Sequence, residues 1–195
     1  LARLLPAHSP QALGVAGAAA QVDLLLFVHR VQGLAPGLYW LARGDQAPEA
    51  LKTGLREDFL WQRADAELPL YRLLEGDARG LAQFLSCDQA IASDGCVAFA
   101  MLARFDAALE AGAWQYAELY RECGRLGQLL YLEAEAAGLS GTGIGCFFDA
   151  AVHELLGIAD SRWQSLYHFT IGKARWDARL TSLPAYRQLR WPPQP

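Results

Sequence analysis

Three glycines at alternate positions stand out as residues that could take part in chemistry. Gly141, Gly143 and Gly145 lie close together and are followed directly by Cys146. Because a glycine has no side chain to shield its peptide N–H group, such a stretch can present backbone donors to a neighbouring molecule. These donors would suit the edge of a planar ligand that is rich in acceptors. The same glycines would also suit a tight connection between two elements.

Two familiar phosphate-binding patterns are missing from this glycine-rich stretch. No lysine follows the glycines, as GxxxxGK[ST] would require, and the stretch does not match GxGxxG opening a helix after a strand. We therefore do not expect it to hold a nucleotide phosphate.

The cysteines and histidines do not form a metal-binding pattern. The chain has four cysteines and four histidines: Cys87, Cys96, Cys123, Cys146, His8, His29, His153 and His168. Without a CxxC pair or an HExxH motif, we predict no metal site and reduced, mostly buried thiols. His153 and His168 could be read as general bases, but positions on an amphipathic helix and a core strand favour a structural role.

A long helix should precede the glycine-rich stretch. Residues 114–137 contain no proline and carry apolar residues at helical spacing, and Gly138 is suited to end the helix. Apolar groups also fall on its other faces, which predicts a buried helix at the centre of the fold or at a subunit interface. Gly124 and Gly127 weaken such a helix, and they indicate either a close helix crossing or the close approach of a flat ligand.

The remaining patterns indicate strands mixed with helices, and hence an α+β fold. Residues 21–31 and 38–41 predict a hairpin around Pro36-Gly37, and residues 166–172 predict a further strand. Residues 90–105 fit a buried strand or a helix equally well. Helices are predicted at residues 77–85, with Asp77 as the N-cap, at residues 149–156, ending at Gly157, and somewhere within residues 47–69.

Length and composition predict one domain that spans residues 1–195, with a flexible or truncated start at 1–20 and an irregular tail at 176–195. A hydrophobic content of 53% favours an oligomer interface.

The net charge of −4 without a basic block argues against a nucleic-acid partner. We expect no membrane span and a cytoplasmic location, since the apolar runs are short and no signal-peptide pattern is present. The first residue, a leucine, suggests a fragment.

Several segments together resemble the nitroreductase superfamily. They are GRLGQLLYLEAEAAGLSGTGIGCFFDAAVHELLGI, YHFTIGK and RLTSLPAY, with VHRVQGLAPGLYWL nearer the start. The chain is most similar to the second half of tandem SagB/ThcOx-type flavin dehydrogenases. The resemblance implies a central, mostly antiparallel sheet flanked by helices, with a strand at about residues 97–103. It also implies an FMN cofactor, NAD(P)H as a possible electron donor, and a homodimer or pairing with a second nitroreductase-like half.

The resemblance also implies roles for individual residues. The stretch Gly143, Ile144, Gly145 and Cys146 would donate a backbone N–H to flavin N5, Gln128 matches a glutamine of the family's helix, and Arg187 would contact the phosphate. The family's Lys-Tyr pair near the start of this helix has Tyr116 and Tyr120 as its nearest candidates here.

The sequence departs from the family at several of these positions. Gly145 replaces a frequent carboxylate, Leu129 replaces an asparagine, and the Arg-Ser-x-Arg segment that grips the phosphate is absent. Two hypotheses follow. The first is an FMN-dependent oxidoreductase acting on a small molecule by hydride transfer through flavin N5. The second is a non-catalytic nitroreductase-fold half that serves as a dimerisation or scaffold domain.

Overall fold

The computed structural model describes residues 1–5, 8, 20–44, 48–175, 177–181, 183 and 186. In this part of the chain, seven strands form one antiparallel sheet in the order β3-β4-β2-β1-β5-β7-β6. The strands are β1 (Val22–Val28), β2 (Gly37–Leu41), β3 (Gln62–Arg63), β4 (Leu70–Glu75), β5 (Val97–Arg104), β6 (Ser140–Ile144) and β7 (Trp163–Gly172). The helices are α1 (Pro48–Lys52), α2 (Arg79–Leu85), α3 (Ala90–Asp94), α4 (Phe105–Glu110), α5 (Gln115–Ala136) and α6 (Asp149–Leu156). The predicted α+β fold is confirmed.

The first two strands form the predicted hairpin. Leu24 pairs with Leu41 and Val28 with Gly37, and every residue of β1 is buried. Side chains of a strand alternate between the two faces of a sheet, and both faces of β1 are covered, by α5 on one side and by α2 and α6 on the other. The apolar run of the sequence therefore reflects a strand in the middle layer of three.

Residues 90–105, which the sequence left ambiguous, contain both alternatives. The five residues of α3 come first, and the eight residues of β5 follow. Strand β5 lies between β1 and β7 at the centre of the sheet, and seven of its residues are buried. Neither reading of the periodicity covered the whole segment, because a short helix and a buried strand are equally apolar.

The long predicted helix is confirmed as α5, and it lies across one face of the sheet. Leu119, Cys123, Leu126 and Leu130 point to the sheet and belong to the same core as Leu24 and Phe169. The opposite side of α5 is exposed and carries large apolar groups. In the described chain the helix is therefore half-buried, and the centre of the fold is the sheet.

A buried ionic network fixes α5 to the first hairpin. The Glu122 carboxylate pairs with the Arg43 guanidinium and also accepts the Gln21 N–H at 3.0 Å. The Arg43 side chain is 1% exposed, and its Nε donates to the Leu4 carbonyl at 2.6 Å. Because each buried charge has several partners, this network sets the position of the helix against the sheet.

None of the helices in the described ranges is both long and apolar enough to cross a lipid bilayer.

Candidate functional site

The glycine-rich stretch, which we predicted to be an irregular connection that presents its backbone, is largely the edge strand β6. It pairs with β7, with Gly143 opposite Phe169 and Ile144 opposite His168. The prediction was wrong because glycine has a low β-propensity, so the sequence of β6 carries no local strand signal. The partner strand that stabilises it lies some twenty-five residues further along the sequence. Residues 145–148, which begin with Gly145 and Cys146, then form an open connection to α6.

The first two glycines of β6 are required by aromatic rings that lie against the strand. A Cβ atom at Gly141 would be 2.8 Å from the Phe169 ring, and one at Gly143 would overlap the Tyr167 hydroxyl. The Tyr131 ring of α5 packs edge-to-face on Phe169 with a centroid distance of 4.7 Å. The chain's own rings therefore cover this half of the stretch.

The backbone donors of the stretch fall into two groups. The Gly143 N–H donates to the Tyr131 hydroxyl at 2.8 Å, so this donor is already used. Among the described residues, the N–H groups of Gly145 and Cys146 have no acceptor. A Cβ atom at Gly145 would meet nothing within 4 Å. The end of the stretch therefore offers two free amides beside open space.

Several predicted site residues lie in one exposed row on α5. Tyr116, Tyr120, Gly124 and Gln128 are spaced by four residues, which places them on the same side of a helix. A Cβ at Gly124 would meet nothing within 4 Å, and one at Gly127 would meet only the Tyr167 ring, at 3.9 Å. No backbone of the described chain crosses the helix at these glycines. Gly127 is itself buried, whereas Gly124 is exposed, so the space above Gly124 is open to a flat ligand or to another chain.

The two tyrosines at the start of this row contact each other. Their ring centroids are 5.2 Å apart and their hydroxyls 3.4 Å apart. The hydrogen bond with Tyr116, followed by burial and by nearby negative charge that includes Asp149, raises the pKa of Tyr120 to about 12. Tyr120 therefore keeps its proton at neutral pH and can donate a hydrogen bond, but it is unsuited to act as a base.

His168 is held by a polar contact at each ring nitrogen. The residue is 1% exposed, its Nδ1 lies 3.2 Å from Ser86 Oγ, and its Nε2 lies 3.3 Å from Ser165 Oγ. Phe147 stacks on the imidazole at a centroid distance of 4.5 Å. Burial lowers the pKa of His168 to about 3, so the ring is neutral and well separated from solvent. These contacts favour a structural role, with the ring supporting the segment after β6.

Acid is expected to destabilise the fold through His168. Below about pH 6.5 the unfolded chain binds a proton that the folded ring rejects, so the free energy of unfolding falls by up to about 1.4 kcal/mol per pH unit. The loss should continue until the folded pKa of about 3 is reached. Urea unfolding at about pH 7 and about pH 5 measures it. Between these two pH values, His168→Gln should lose about 2 kcal/mol less unfolding free energy than the wild type loses. An equal loss in the two proteins would contradict the assignment.

The prediction of reduced thiols was wrong for two of the four cysteines. Cys87 and Cys146 form a disulfide with a Cα–Cα distance of 5.9 Å, whereas Cys96 and Cys123 are free. Burial raises the pKa of the Cys123 thiol to about 12. The paired cysteines are separated by 59 positions, so no local spacing in the sequence could reveal the bond.

Other residues of the site were missed by sequence reasoning or cannot be placed. Arg187 lies outside the described residues. Lys173 and Arg175, which follow β7, line a cavity of about 410 Å³ beside the start of β6, at the opposite end of this strand from Gly145. Tyr167 could have been recognised, because the alternation of a strand places it on the same face as Phe169.

The fold is similar to three solved structures. A protein from Anabaena variabilis assigned as a nitroreductase has a TM-score of 0.60 and 27% identity, covering 80% of this chain and 27% of that one. A second, from Ralstonia eutropha, has a TM-score of 0.55 and 13% identity, covering 87% and 68%. The E. coli microcin synthetase McbBCD complex with truncated pro-MccB17 bound has a TM-score of 0.56 and 16% identity, covering 80% and 52%.

The chain thus spans only about a quarter of the length of the first of these proteins. A search of curated protein sequences gives no match. The profile described as the nitroreductase family matches residues 38–173, which is more than half of the chain and runs from the first hairpin to the end of β7. With its antiparallel sheet, its long helix and this match, the chain belongs to the nitroreductase family.

Proposed function

We propose that this chain binds FMN at the open end of β6 and acts as an FMN-dependent oxidoreductase on a small molecule, with NAD(P)H as a possible electron donor. One observation supports this proposal above all. The free N–H groups of Gly145 and Cys146 lie at the open end of the stretch, in a fold whose family is one of flavin oxidoreductases. Two unpaired donors beside open space suit the acceptor edge of a flavin ring.

The residues present fit such a cofactor in three ways. The amides of Gly145 and Cys146 can donate to the flavin ring, and Gln128 can offer its exposed amide group from α5. Gly124 of α5 is exposed and leaves room for a flat ring. For the phosphate, Arg187 is the candidate from the sequence.

When bound, the flavin would supply hydride transfer at N5. The chain's own residues would bind and orient it. The Gly145 and Cys146 amides would stabilise the reduced ring by donating hydrogen bonds to it, while Ile144 anchors the strand in the core. Tyr120, which keeps its proton, and its neighbour Tyr116 would donate to a substrate oxygen or nitrogen. Little further acid or base catalysis is needed.

The exposed row on α5 supports a dimer. Trp114 is 63% exposed, Tyr116 47% and Leu132 49%, so large apolar groups lie on the outside of the helix. Covering them with a second copy, or with a second nitroreductase-like half, would remove apolar surface from water and enclose the site. We further propose the SagB/ThcOx type and a cytoplasmic location, both of which rest on the resemblance of the sequence motifs.

A scaffold role is the second candidate function. It is favoured by the rings of Tyr131 and Tyr167, which cover half of the glycine-rich stretch, and by the use of the Gly143 N–H within the chain. In this case the fold would serve only to hold a partner.

The binding of FMN to the purified chain separates the two functions. We expect a yellow protein that releases FMN on denaturation. FMN at one hundred times its Kd should raise the free energy of unfolding by about 2.7 kcal/mol. A colourless protein that gains no thermal stability from millimolar FMN would favour the scaffold. Riboflavin, which lacks the phosphate, serves as the matched ligand and should bind more weakly.

A further inference from the structure

The disulfide between Cys87 and Cys146 joins the turn after α2 to the open end of the glycine-rich stretch. Cys146 is exposed and Cys87 is half-buried, so small thiols in solution can reach the pair. Cys146 also carries one of the two free amides of the site. Whether the Cys146 sulfur is in a disulfide or a free thiol therefore affects the position of the Cys146 amide.

The two joined segments keep other contacts that do not depend on sulfur. Gln89 Nε2 donates to the Cys146 carbonyl at 3.2 Å, and the Phe148 N–H donates to the Leu85 carbonyl at 2.9 Å. These bonds lie on either side of the disulfide. Reduction would thus release one tether at Cys146 while the segments stay together, which is a local change rather than unfolding.

The turn that carries Cys87 has an uncommon backbone. Cys87 and Asp88 have φ values of 54° and 56°, in the left-handed region that residues with a side chain rarely adopt. A turn of two consecutive left-handed residues has easier conformations available once its tether is gone. The Gln89 N–H closes this turn by donating to the Ser86 carbonyl at 3.2 Å, and the disulfide adds a covalent tether that holds Cys146 to the turn.

We propose that Cys87 and Cys146 form a redox-active pair whose disulfide form binds FMN more tightly than its dithiol form. A thiolate of a small thiol attacks the sulfur of Cys146, forms a mixed disulfide and releases Cys87 as a thiolate, which takes a proton. A second thiol then attacks the mixed disulfide and frees Cys146. Two thiols are oxidised to one disulfide, and the protein pair gains two electrons and two protons.

The effect on FMN rests on the proposed function, because it requires the flavin to contact the Cys146 amide. Binding and reduction are then linked reciprocally. If the disulfide form binds FMN tenfold more tightly, bound FMN must lower the reduction potential of the pair by about 30 mV. Disulfides of proteins in reducing compartments are usually catalytic or redox-sensing, and this role is consistent with the cytoplasmic location that we propose.

The test compares the wild-type protein before and after reduction by dithiothreitol. FMN affinity is measured by fluorescence quenching, and the potential of the pair by thiol trapping in glutathione buffers, with and without FMN. We expect FMN affinity to fall about tenfold on reduction. Saturating FMN should lower the reduction potential of the pair by about 30 mV. Cys87→Ser should bind FMN with the affinity of the reduced wild type, both with and without dithiothreitol. Cys96→Ser, which removes a free cysteine, should retain the full redox response.

Three results would overturn the proposal in distinguishable ways. If Cys87 and Cys146 are trapped as free thiols in air, no redox pair exists. If both forms bind FMN with the same affinity, the proposed function stands and the redox control fails. If neither form binds FMN, the proposed function fails and the redox control of FMN binding fails with it. Circular dichroism of each sample identifies a variant that has not folded. If Cys87→Ser is unfolded, the reduced wild-type protein alone represents the state without the disulfide.

Discussion

Truncation of Glu122 to alanine is expected to lower the free energy of unfolding by about 3–5 kcal/mol. The substitution leaves the Arg43 guanidinium, whose side chain is 1% exposed, without its carboxylate partner. It also removes the acceptor of the Gln21 N–H and the partner that holds α5 on the first hairpin. A domain of this size has a total stability of about 5–15 kcal/mol, so the variant should be close to unfolding.

Urea unfolding monitored by circular dichroism measures this loss. Glu118→Ala is the matched control, because Glu118 lies on the same helix and, within the described ranges, pairs only with the exposed Arg121. We expect it to change the stability by less than about 1 kcal/mol. A loss below about 1 kcal/mol for Glu122→Ala would show that the buried network does not position the helix.

The substitution Gly124→Leu is expected to weaken FMN binding more than tenfold while the fold becomes slightly more stable. Leucine is a better helix former than glycine by up to about 1 kcal/mol, and the added Cβ would meet nothing within 4 Å. The longer side chain would instead fill the space beside the row of site residues, where the proposal places a flat ligand. Stability and binding should therefore move in opposite directions.

FMN titration together with thermal unfolding tests this expectation. Ala136→Leu is the matched control, since Ala136 is an exposed position of the same helix and lies about 18 Å along the helix axis from Gly124. It should leave FMN affinity unchanged. Tight FMN binding by a well-folded Gly124→Leu protein would show that the ligand does not approach this part of α5.

The parts of the fold that sequence reasoning identified are those with strong local signals. The burial of β1, its hairpin with β2 and the length of α5 follow from apolar periodicity and from Pro36-Gly37 and Gly138. Segment 90–105 stayed ambiguous because two short buried elements share one composition. Strand β6 was hidden because its identity depends on pairing with β7.

The candidate site could be found only in part for the same reason. The glycine-rich stretch and the tyrosines of α5 were visible as residue types, but the rings that cover Gly141 and Gly143 come from other elements. The Cys87–Cys146 bond depends on the fold bringing distant segments together. Which amides remain free is therefore decided by tertiary packing, and no local pattern encodes it.

Titration of the ¹⁵N-labelled protein with FMN tests the central claim most directly, because it observes each backbone amide separately. We expect saturable shifts that are largest at the N–H groups of Gly145 and Cys146, with a smaller change at Gly143, whose N–H is bonded to Tyr131. Saturable shifts confined to other parts of the chain, or no shifts at millimolar FMN, would contradict the proposed site.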